Sequence, residues 1–269
     1  MSFLTMDKVS HHYFSSKGYT KALDQVSFSV KEGEFIALLG PSGCGKSTIL
    51  SILAGIIQPT GGNVLLQEKP ISHSTLAIGY MLQQDYLFPW KSIMENVLLG
   101  PKLSHTDTEE MKAAALDMLE EVGLPEVADF YPSSLSGGMR QRAALVRTLI
   151  NDPKILLLDE PFSALDYQTK LKLEDLVSNI LKTYRKTTIL VTHDIGEAIA
   201  MSDRILMMNA NPRTIAKSFE VPVELRNEAP FQARKHPKYQ LLFEKIWSEL
   251  DKRENASPNA KVVPKDNGE

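Results

Sequence analysis

Residues 35–48 read Phe-Ile-Ala-Leu-Leu-Gly-Pro-Ser-Gly-Cys-Gly-Lys-Ser-Thr, and this stretch decides the fold class. Its first five residues form an apolar run with the length of a strand that is covered on both faces. Residues 40–48 then fit the pattern G-x-x-x-x-G-K-[ST], and the apolar spacing of the next residues predicts a helix over 47–57. A glycine-rich loop between a buried strand and a helix is the context that a phosphate-binding loop requires.

Each residue type in this loop has a chemical reason to be there. The glycines allow successive backbone N–H groups to surround phosphate oxygens, and the following helix directs its positive end at the same anion. We expect Lys46 to reach the outer phosphates and Ser47 to offer its hydroxyl to Mg²⁺. The predicted nucleotide-binding residues of the loop are Gly40, Pro41, Ser42, Gly43, Cys44, Gly45, Lys46, Ser47 and Thr48. The loop alone predicts a nucleotide site of a kind that kinases, GTPases and ATP-driven motors share.

Strand and helix patterns alternate along the rest of the chain. The predicted strands are 22–30, 35–39, 64–66, 77–82, 155–158, 188–191 and 204–208. The predicted helices are 47–57, 108–122, 136–150, 171–183, 194–201 and 237–252. This alternation, strongest after residue 155, predicts an α/β fold around a mostly parallel sheet.

Three polar residues come directly after two of the predicted strands. Asp159 and Glu160 follow the apolar run 155–158, and His193 closes the next strand along the chain. Because ligands bind at the carboxyl ends of parallel strands, we expect these side chains near the phosphate-binding loop. Asp159 is predicted to hold Mg²⁺, Glu160 to polarise the attacking water, and His193 to contact the γ-phosphate. The alternatives are a solvated acid pair at a turn and a structural histidine.

The composition excludes several classes of protein. The chain has 269 residues, and 30 basic against 33 acidic side chains leave a formal charge of −3, which argues against a basic nucleic-acid-binding face. No apolar run approaches the roughly 18 residues of a membrane span, and the first residues lack the pattern of a secretory signal. The single cysteine, Cys44, excludes an internal disulfide and is interpreted as a small packing residue.

The segment 135–139 makes the interpretation specific. It reads Leu-Ser-Gly-Gly-Met, and with it the chain resembles the ATP-binding subunits of ABC transporters over about residues 5–215. The residues that look like the signature motif of that family are Leu135, Ser136, Gly137, Gly138 and Met139. Met139 stands where glutamine is commonest in the family. Because this departure changes a side chain and leaves the backbone donors in place, we expect hydrolysis to survive it.

The resemblance extends to the other motifs of the family, in order. Gln83 matches the Q-loop, Asp166 the D-loop and His193 the H-loop. Asp159 and Glu160 match the Walker B aspartate and the adjacent catalytic glutamate. The catalytic residues that the resemblance implies are Glu160, His193, Lys46 and Gln83. The ligands that it implies for Mg²⁺ are Ser47, Gln83 and Asp159.

An aromatic residue near the N-terminus completes the resemblance. Tyr13, in the segment Val-Ser-His-His-Tyr, is the best match to the aromatic residue that stacks on adenine in the family. Tyr19 is the alternative, because the segment before Ala22 looks lengthened relative to shorter members of the family.

The resemblance also implies a fold and an assembly. The fold is a P-loop NTPase with a RecA-like, mostly parallel core sheet, an antiparallel β subdomain and an inserted α-helical subdomain at about residues 84–152. We expect the ABC ATPase domain to span 1–215, a C-terminal extension with an amphipathic helix to span 216–254, and the tail 255–269 to be disordered. The family implies a head-to-tail homodimer, in which Ser136 and Gly138 of one subunit close over the γ-phosphate bound by the other.

The segment after Gln83 is unusually aromatic for a loop. Leu87, Phe88 and Trp90 resemble the nitrate, sulfonate and taurine branch of bacterial importers, in which this region receives a coupling helix of the permease. Local packing under the helical subdomain is the alternative. The branch also contains importers of thiamine precursors, so the solute stays open.

The importer resemblance implies partners and a location. They are two integral-membrane permease subunits and an extracytoplasmic solute-binding protein, with the chain at the cytoplasmic face of the cell membrane and no nucleic acid bound. A non-transport ABC switch acting on nucleic acid or ribosomes is the alternative function. Such switches usually carry tandem cassettes or a long coiled coil, and this sequence shows neither pattern. A small nucleotide kinase does not account for residues 135–139.

Overall fold

Two β-sheets organise the chain. A computed structural model describes residues 2–15, 18–71, 78–211 and 213–255. Within them the strands are β1 (Leu4–Ser15), β2 (Gly18–Val30), β3 (Phe35–Leu39), β4 (Gly61–Leu66), β5 (Lys69–Pro70), β6 (Ile78–Met81), β7 (Ile155–Asp159), β8 (Thr187–Thr192), β9 (Arg204–Met208) and β10 (Ile215–Glu220). One sheet is antiparallel with the order β2-β1-β4-β5, and the other has the order β10-β9-β3-β8-β7-β6.

The second sheet is parallel except at its β10 edge. β3 pairs with β8 from Phe35 opposite Thr188 to Leu39 opposite Thr192, and β7 places Asp159 opposite Val191 of β8. Every residue of β3 and β8 is buried, which explains their continuous apolar runs. The carboxyl ends of β3, β7 and β8 therefore lie side by side. The predicted α/β fold with a mostly parallel core sheet is confirmed.

Helices cover both faces of this sheet. In the described part of the chain they are α1 (Lys46–Leu53), α2 (Ile93–Val97), α3 (Leu99–Leu103), α4 (Glu109–Glu121), α5 (Gly137–Leu149), α6 (Tyr167–Thr183), α7 (Ile195–Met201), α8 (Val223–Arg226), α9 (Pro230–Ala233) and α10 (Pro237–Asn255), with a 3-10 turn at Pro132–Ser134. Helices α2 to α5 lie between β6 and β7 in the chain. None of these helices combines the length and the apolar character that crossing a bilayer demands.

Buried apolar side chains form three clusters. One fills the space between the two sheets and α1, with Leu50 and Leu157 among its members. A second joins α2, α4, α5 and α6 to the opposite face of the parallel sheet, where Leu156 lies. The third packs α7 and α10 on that sheet near β9, around Ile205 and Ile246. The C-terminal helix is thus part of the folded core.

Two predicted helix boundaries are wrong. The helix predicted for 47–57 ends at Leu53, because Gly55 takes a φ of +72° and its N–H bonds back to the carbonyl of Ile52 at 3.1 Å, which terminates the helix. The helix predicted for 171–183 begins earlier, at Tyr167, because the Asp166 side chain accepts the N–H of Thr169 and caps it.

Three of the described strands were missed by the sequence patterns: β1, the two-residue β5 and β10. β1 contains register shifts between Met6 and Val9 and again before His11, so its buried residues do not keep the alternation of a regular strand. In β10 Phe219 is the buried position, which gives no period-two pattern to detect. Of the predicted strand 77–82, residue 77 lies outside the described residues. The tail predicted from 255 begins inside α10, and 256–269 also lie outside them.

Candidate functional site

The loop between β3 and α1 folds around its lysine. Lys46 is buried, and its Nζ donates to the carbonyl oxygens of Gly40 at 2.7 Å and Pro41 at 3.0 Å. Gly45 has a φ of +107°, and a Cβ at this position would lie 2.7 Å from the carbonyl oxygen of Ala22. Glycine is therefore required there both by backbone conformation and by space. The ammonium group lies inside the loop, at the N-terminus of α1.

A cavity of about 360 Å³ opens over this loop. The residues that line it are Tyr13, Ala22, Ser42, Gly43, Gly45, Lys46, Ser47, Thr48, Glu160 and Arg213. The Tyr13 hydroxyl lies 3.4 Å from Thr48 Oγ1, whereas the Tyr19 ring packs against His12. Of the two tyrosines, Tyr13 is the one that faces the cavity.

Cys44 lies on the inner side of the loop. Its side chain is fully buried, and its Sγ lies close to the Cα of Gly40, where an added Cβ would approach the sulfur to 2.9 Å. Burial raises the pKa of the Cys44 thiol, and the positive charges of Lys46 and Arg213 oppose the rise. The geometry agrees with the interpretation of Cys44 as a packing residue.

Two hard oxygen donors meet beside the lysine. Burial raises the pKa of the Asp159 carboxyl, and hydrogen bonds from Tyr80 and Ser47 oppose this rise, as does the charge of Lys46. Tyr80 Oη donates to Asp159 Oδ2 at 3.3 Å. The Ser47 hydroxyl and the Asp159 carboxylate are oxygen ligands of the type that Mg²⁺ selects, and the other ligands would be phosphate and water oxygens.

Glu160 and His193 are brought together at the strand ends. His193 Nδ1 lies 3.1 Å from Glu160 Oε2. Glu160 has a φ of +46°, a left-handed conformation that is costly for a non-glycine residue, and its N–H is held by the carbonyl of Val191 at 2.9 Å. The neighbouring strand therefore fixes the strained residue. His193 itself lines an adjacent cavity of about 390 Å³, with Gly40 and α10 on its other walls.

A buried ionic network fixes the start of α7. The Asp194 side chain accepts the N–H of Glu197 at 3.1 Å, and Lys170 Nζ lies 2.6 Å from Asp194 Oδ2 and 3.0 Å from Glu197 Oε2. Arg234 lies 2.6 Å from the fully buried Glu174, one turn along α6 from Lys170. Burial raises the pKa of Glu174 to about 7, against the effect of Arg234. The network joins α6, α7 and the segment after α9.

The segment 135–139 begins a second helix, α5. Ser136 caps it by accepting the N–H of Met139 at 3.4 Å, and Ser136 itself is exposed. A Cβ added to Gly138 would lie 2.8 Å from Thr169 Cγ2, so α5 approaches α6 closely at this glycine. Leu135 is buried beneath the turn. The start of α5 therefore presents backbone N–H groups to the surface, beside the Asp166 cap of α6.

Gln83 is connected to Glu160 through one side chain. Gln83 Nε2 donates to Ser163 Oγ at 3.2 Å, and Ser163 Oγ donates to the Glu160 carbonyl at 2.9 Å. The Gln83 carbonyl in turn accepts from Gln141 of α5 at 3.1 Å. Neither Gln83 nor Asp159 is among the residues that line the cavity over the loop, and the hydrogen bonds of Gln83 connect it to the Glu160 backbone through Ser163.

The aromatic loop, defined as residues 85–90, is only partly a surface. Trp90 is 70% exposed and its ring lies 5.2 Å from that of Phe88, whereas Leu87 is 6% exposed within the apolar cluster under α5. The prediction of Leu87 as a coupling residue needs correction, because a buried side chain does not contact a partner directly. Of the three predicted coupling residues, Trp90 is exposed and Phe88 is half-buried, and Tyr86 and Pro89 are also exposed in this loop.

Three residues that the sequence reasoning missed hold the aromatic loop. Asn96 is fully buried and exchanges hydrogen bonds with both backbone groups of Phe88, at 2.7 and 3.2 Å. Arg140 of α5 lies 2.9 Å from Asp85, and Arg147 of the same helix donates to the carbonyls of Asp85 and Tyr86. Arg140 and Arg147 both fall in the predicted helix 136–150, but nothing in the sequence pattern indicated which residues they contact.

Comparisons with known proteins agree with this geometry. The family model described as ABC transporter matches residues 23–163. The uncharacterized ABC transporter ATP-binding protein YtlC of Bacillus subtilis is 58% identical over 96% of this chain and 100% of its own length. The taurine import ATP-binding protein TauB of Roseobacter denitrificans is 37% identical, covering 89% of this chain and 90% of TauB. The nitrate import ATP-binding protein NrtD of Synechococcus elongatus is 41% identical over 84% of each chain.

A solved structure gives the same result for the fold. The ATP-binding cassette MJ0796, in a dimeric post-hydrolysis state bound to ADP and Pi, superposes with a TM-score of 0.72 at 31% identity. The match covers 81% of this chain and 99% of that cassette. From the matched family, the near-full-length relatives and the P-loop architecture together, we conclude that this chain belongs to the ABC transporter family as an ATP-binding subunit with ATPase activity.

Proposed function

We propose that the chain is the ATP-hydrolysing subunit of a bacterial ABC importer, active as a homodimer. The carrying observation is the division of its site. The cavity over the phosphate-binding loop holds Lys46 and Glu160, while the exposed helix start at Ser136 belongs to a separate surface. Each chain thus has two helix N-termini that can bind an anion, at the starts of α1 and α5, although one bound nucleotide needs both. A head-to-tail pair of chains brings the two types of end together.

The residues in and beside the cavity divide the work by position. Lys46 and the loop N–H groups from Gly40 to Thr48 bind the phosphates, and Tyr13 stacks on adenine. Glu160 orients the attacking water, with His193, 3.1 Å away, fixing its carboxylate and contacting the γ-phosphate. Gln83 acts on the same water through the hydrogen bond that Ser163 gives to the Glu160 backbone.

Mg²⁺ fits the donors beside Lys46. Ser47 and Asp159 are the ligands that we assign to it, and Gln83 joins them only if its side chain leaves Ser163. When bound, the ion neutralises charge on the phosphate oxygens as the γ-phosphate leaves. Asp159 is held for this role by Tyr80, whose hydroxyl donates to Oδ2 at 3.3 Å.

The second half of each composite site comes from the partner. Ser136, Gly138 and the backbone N–H groups at the start of α5 close over the γ-phosphate in trans, and Asp166 of the D-loop lies beside them at the cap of α6. Met139 replaces the commonest residue of the motif without removing these donors. Two ATP molecules then stabilise the closed dimer until they are hydrolysed.

The relatives support an importer. TauB and NrtD are named for taurine and nitrate import, and we extend that class of small-solute import to this chain. The partners are two permease subunits, which dock at Phe88 and Trp90, and an extracytoplasmic solute-binding protein. The chain then lies at the cytoplasmic face of the membrane. We propose 1–215 as the ATPase domain, with the helical subdomain at about 84–152, and 216–254 as its extension.

A complementation experiment tests the shared site. Lys46→Ala and Ser136→Ala chains are each expected to be inactive as homodimers, because every site carries a defect. Mixed dimers hold one site with both defects and one intact site. Random pairing at equal amounts therefore restores up to about a quarter of the wild-type sites, measured as phosphate release.

The control separates the signature serine from serine loss in general. Ser134→Ala removes an exposed hydroxyl two residues earlier, at the end of the 3-10 turn, and is expected to leave activity unchanged. Two affinity tags quantify the mixed dimer. A mixture that stays inactive while tagged heterodimers are recovered contradicts the shared site.

A further inference from the structure

Arg213 lies in the nucleotide cavity, although no motif of the sequence predicts it there. It stands on the connection between β9 and β10, is half-buried, and lines the cavity together with Tyr13, Ala22 and the phosphate-binding loop. Besides Lys46, it is the cationic residue of that lining. A guanidinium beside a phosphate-binding loop can form charge-assisted hydrogen bonds with the phosphates of a bound nucleotide.

Two hydrogen bonds to the same strand fix the position of Arg213. Its backbone carbonyl accepts the N–H of Asp24 at 3.0 Å, and its guanidinium donates to the carbonyl of Lys21. Lys21 pairs with His12 across β1 and β2, directly before Tyr13. The guanidinium is therefore anchored at β2, whose neighbour β1 carries Tyr13, the tyrosine that we propose to stack on adenine.

The charge of Arg213 also reaches the phosphate-binding loop. It opposes, together with Lys46, the rise that burial causes in the pKa of the Cys44 thiol. Lys46 is enclosed by the carbonyls of Gly40 and Pro41, so the two cations approach the cavity from different sides. Arg213 therefore lines the cavity from the side of β2, within electrostatic reach of the phosphate-binding loop.

We propose that Arg213 is a nucleotide-binding residue that donates to the ribose and α-phosphate portion of ATP. A guanidinium carries five N–H donors in a planar fork, more than the Lys21 carbonyl takes, and the fork matches two phosphate oxygens. The anchor to Lys21 holds it in place before the nucleotide arrives. This inference rests on the proposed placement of the nucleotide in the cavity.

The test compares ATP with ADP, which share the α-phosphate. Arg213→Gln is expected to weaken the binding of both by the same factor, about tenfold, because one charge-assisted contact is lost. The rate at saturating ATP stays within about twofold of wild type, since the group does not touch the γ-phosphate. Titration calorimetry gives the two affinities. Arg213→Lys keeps the positive charge but lacks the planar fork of donors, so its affinities are expected to lie between those of the wild type and Arg213→Gln.

Arg226→Gln is the matched control. Arg226 is a partly exposed arginine that donates to the backbone carbonyl of Val221 and lies outside the nucleotide cavity, so its loss is expected to leave both affinities unchanged. A lower melting temperature of nucleotide-free Arg213→Gln with unchanged affinities overturns the inference, because it shows a structural anchor only. A loss of ATP binding without loss of ADP binding overturns the α-phosphate assignment.

Lys46→Ala separates this inference from the proposed site. It is expected to lose binding of both nucleotides. Unchanged affinities in Arg213→Gln beside a defective Lys46→Ala overturn the role of Arg213 alone. Normal nucleotide binding in Lys46→Ala overturns the placement of the nucleotide, and the role of Arg213 with it.

Discussion

The starts of α1 and α5 are two glycine-rich helix ends with opposite surroundings. The start of α1 encloses Lys46 and has Asp159 and Glu160 at its side, at the carboxyl edge of a buried sheet. The start of α5 is exposed and capped by its own Ser136. Both ends offer N–H groups to an anion, and the first is the one beside the residues to which we assign the chemistry, Asp159 and Glu160. The difference is the reason for the proposal that the second end binds a nucleotide held by the partner subunit.

The largest expected effect concerns the chemical end. Glu160→Gln keeps the shape of the side chain but loses the carboxylate that orients water, so turnover is expected to fall at least about a hundredfold while ATP still binds. The variant is expected to accumulate as an ATP-bound dimer, measured by size-exclusion chromatography with bound-nucleotide analysis.

Glu68→Gln is its control. Glu68 also has a positive φ, +65°, but stands in the turn between β4 and β5, away from the cavity. Its activity is expected to stay at the wild-type level. Near-normal turnover in Glu160→Gln would remove the contrast between the two helix ends, since neither would then carry the chemistry.

The second-largest effect concerns the start of α5. Helix α5 also holds the aromatic loop, so a substitution in that loop tests whether this region contacts a partner. Trp90→Asp is expected to reduce solute uptake in the reconstituted transporter at least about tenfold, since a charge replaces a 70% exposed indole at the proposed docking surface. Basal ATP hydrolysis of the isolated subunit is expected to stay unchanged.

Leu116→Asp, at an exposed position on α4, is the control for an added charge and is expected to leave uptake intact. Leu87→Asp serves as the contrasting variant. It is expected to lower the melting temperature, because it buries a carboxylate in the cluster under α5. Equal loss of uptake and hydrolysis in a folded Trp90→Asp would show that Trp90 is a packing residue.

The smallest effect concerns α6, which lies against the start of α5 through Thr169 beside Gly138 and against Asp194, the residue after His193, through Lys170. The pKa of Glu174 is raised to about 7, above its ordinary value of 4.5. Between these values the folded chain keeps a proton that the unfolded chain has released, so this group lowers stability as pH rises from about 4.5 to 7.

Glu174→Gln is therefore expected to flatten the fall of melting temperature with pH across that window by a few degrees, even though its absolute stability drops through the unpaired Arg234. Thermal unfolding at pH 5, 6, 7 and 8 measures the slope. Glu120→Gln, an exposed position on α4, leaves the slope unchanged. An unaltered slope in Glu174→Gln would show that the carboxyl is already ionised at pH 5.

The chemical end could be predicted from sequence because its parts are local. A phosphate-binding loop, an acid pair and a histidine each follow an apolar strand, and the rule for parallel sheets places them together without further information. As that rule predicts, Glu160 and His193 are neighbours, with His193 Nδ1 3.1 Å from Glu160 Oε2. It could not reveal the positive φ of Glu160, which depends on the hydrogen bond from its N–H to Val191 in the neighbouring strand.

Contacts between distant segments were the part that sequence could not supply. Arg213 reaches Lys21 across 192 positions and Arg140 reaches Asp85 across 55, and neither arginine differs in pattern from a solvated one. Leu87 was predicted as a coupling residue from the resemblance of its segment to an importer branch, whereas it is buried in the cluster under α5, as the local-packing alternative expects. The strand β1 was hidden for a different reason, because its register shifts between Met6 and Val9 and before His11 break the alternation of buried and exposed residues.

The two arginines that join α5 to the aromatic loop have a mechanical consequence. Arg140 and Arg147 grip the loop near both ends of a 13-residue helix, which spans about 20 Å. A rod held at two points transmits displacement without bending. In the proposed importer, a push on Trp90 from the membrane side tilts Ser136 toward or away from the opposite subunit's nucleotide. The same connection acts in the opposite direction, so the state of the permease in the membrane can control when the subunits hydrolyse ATP.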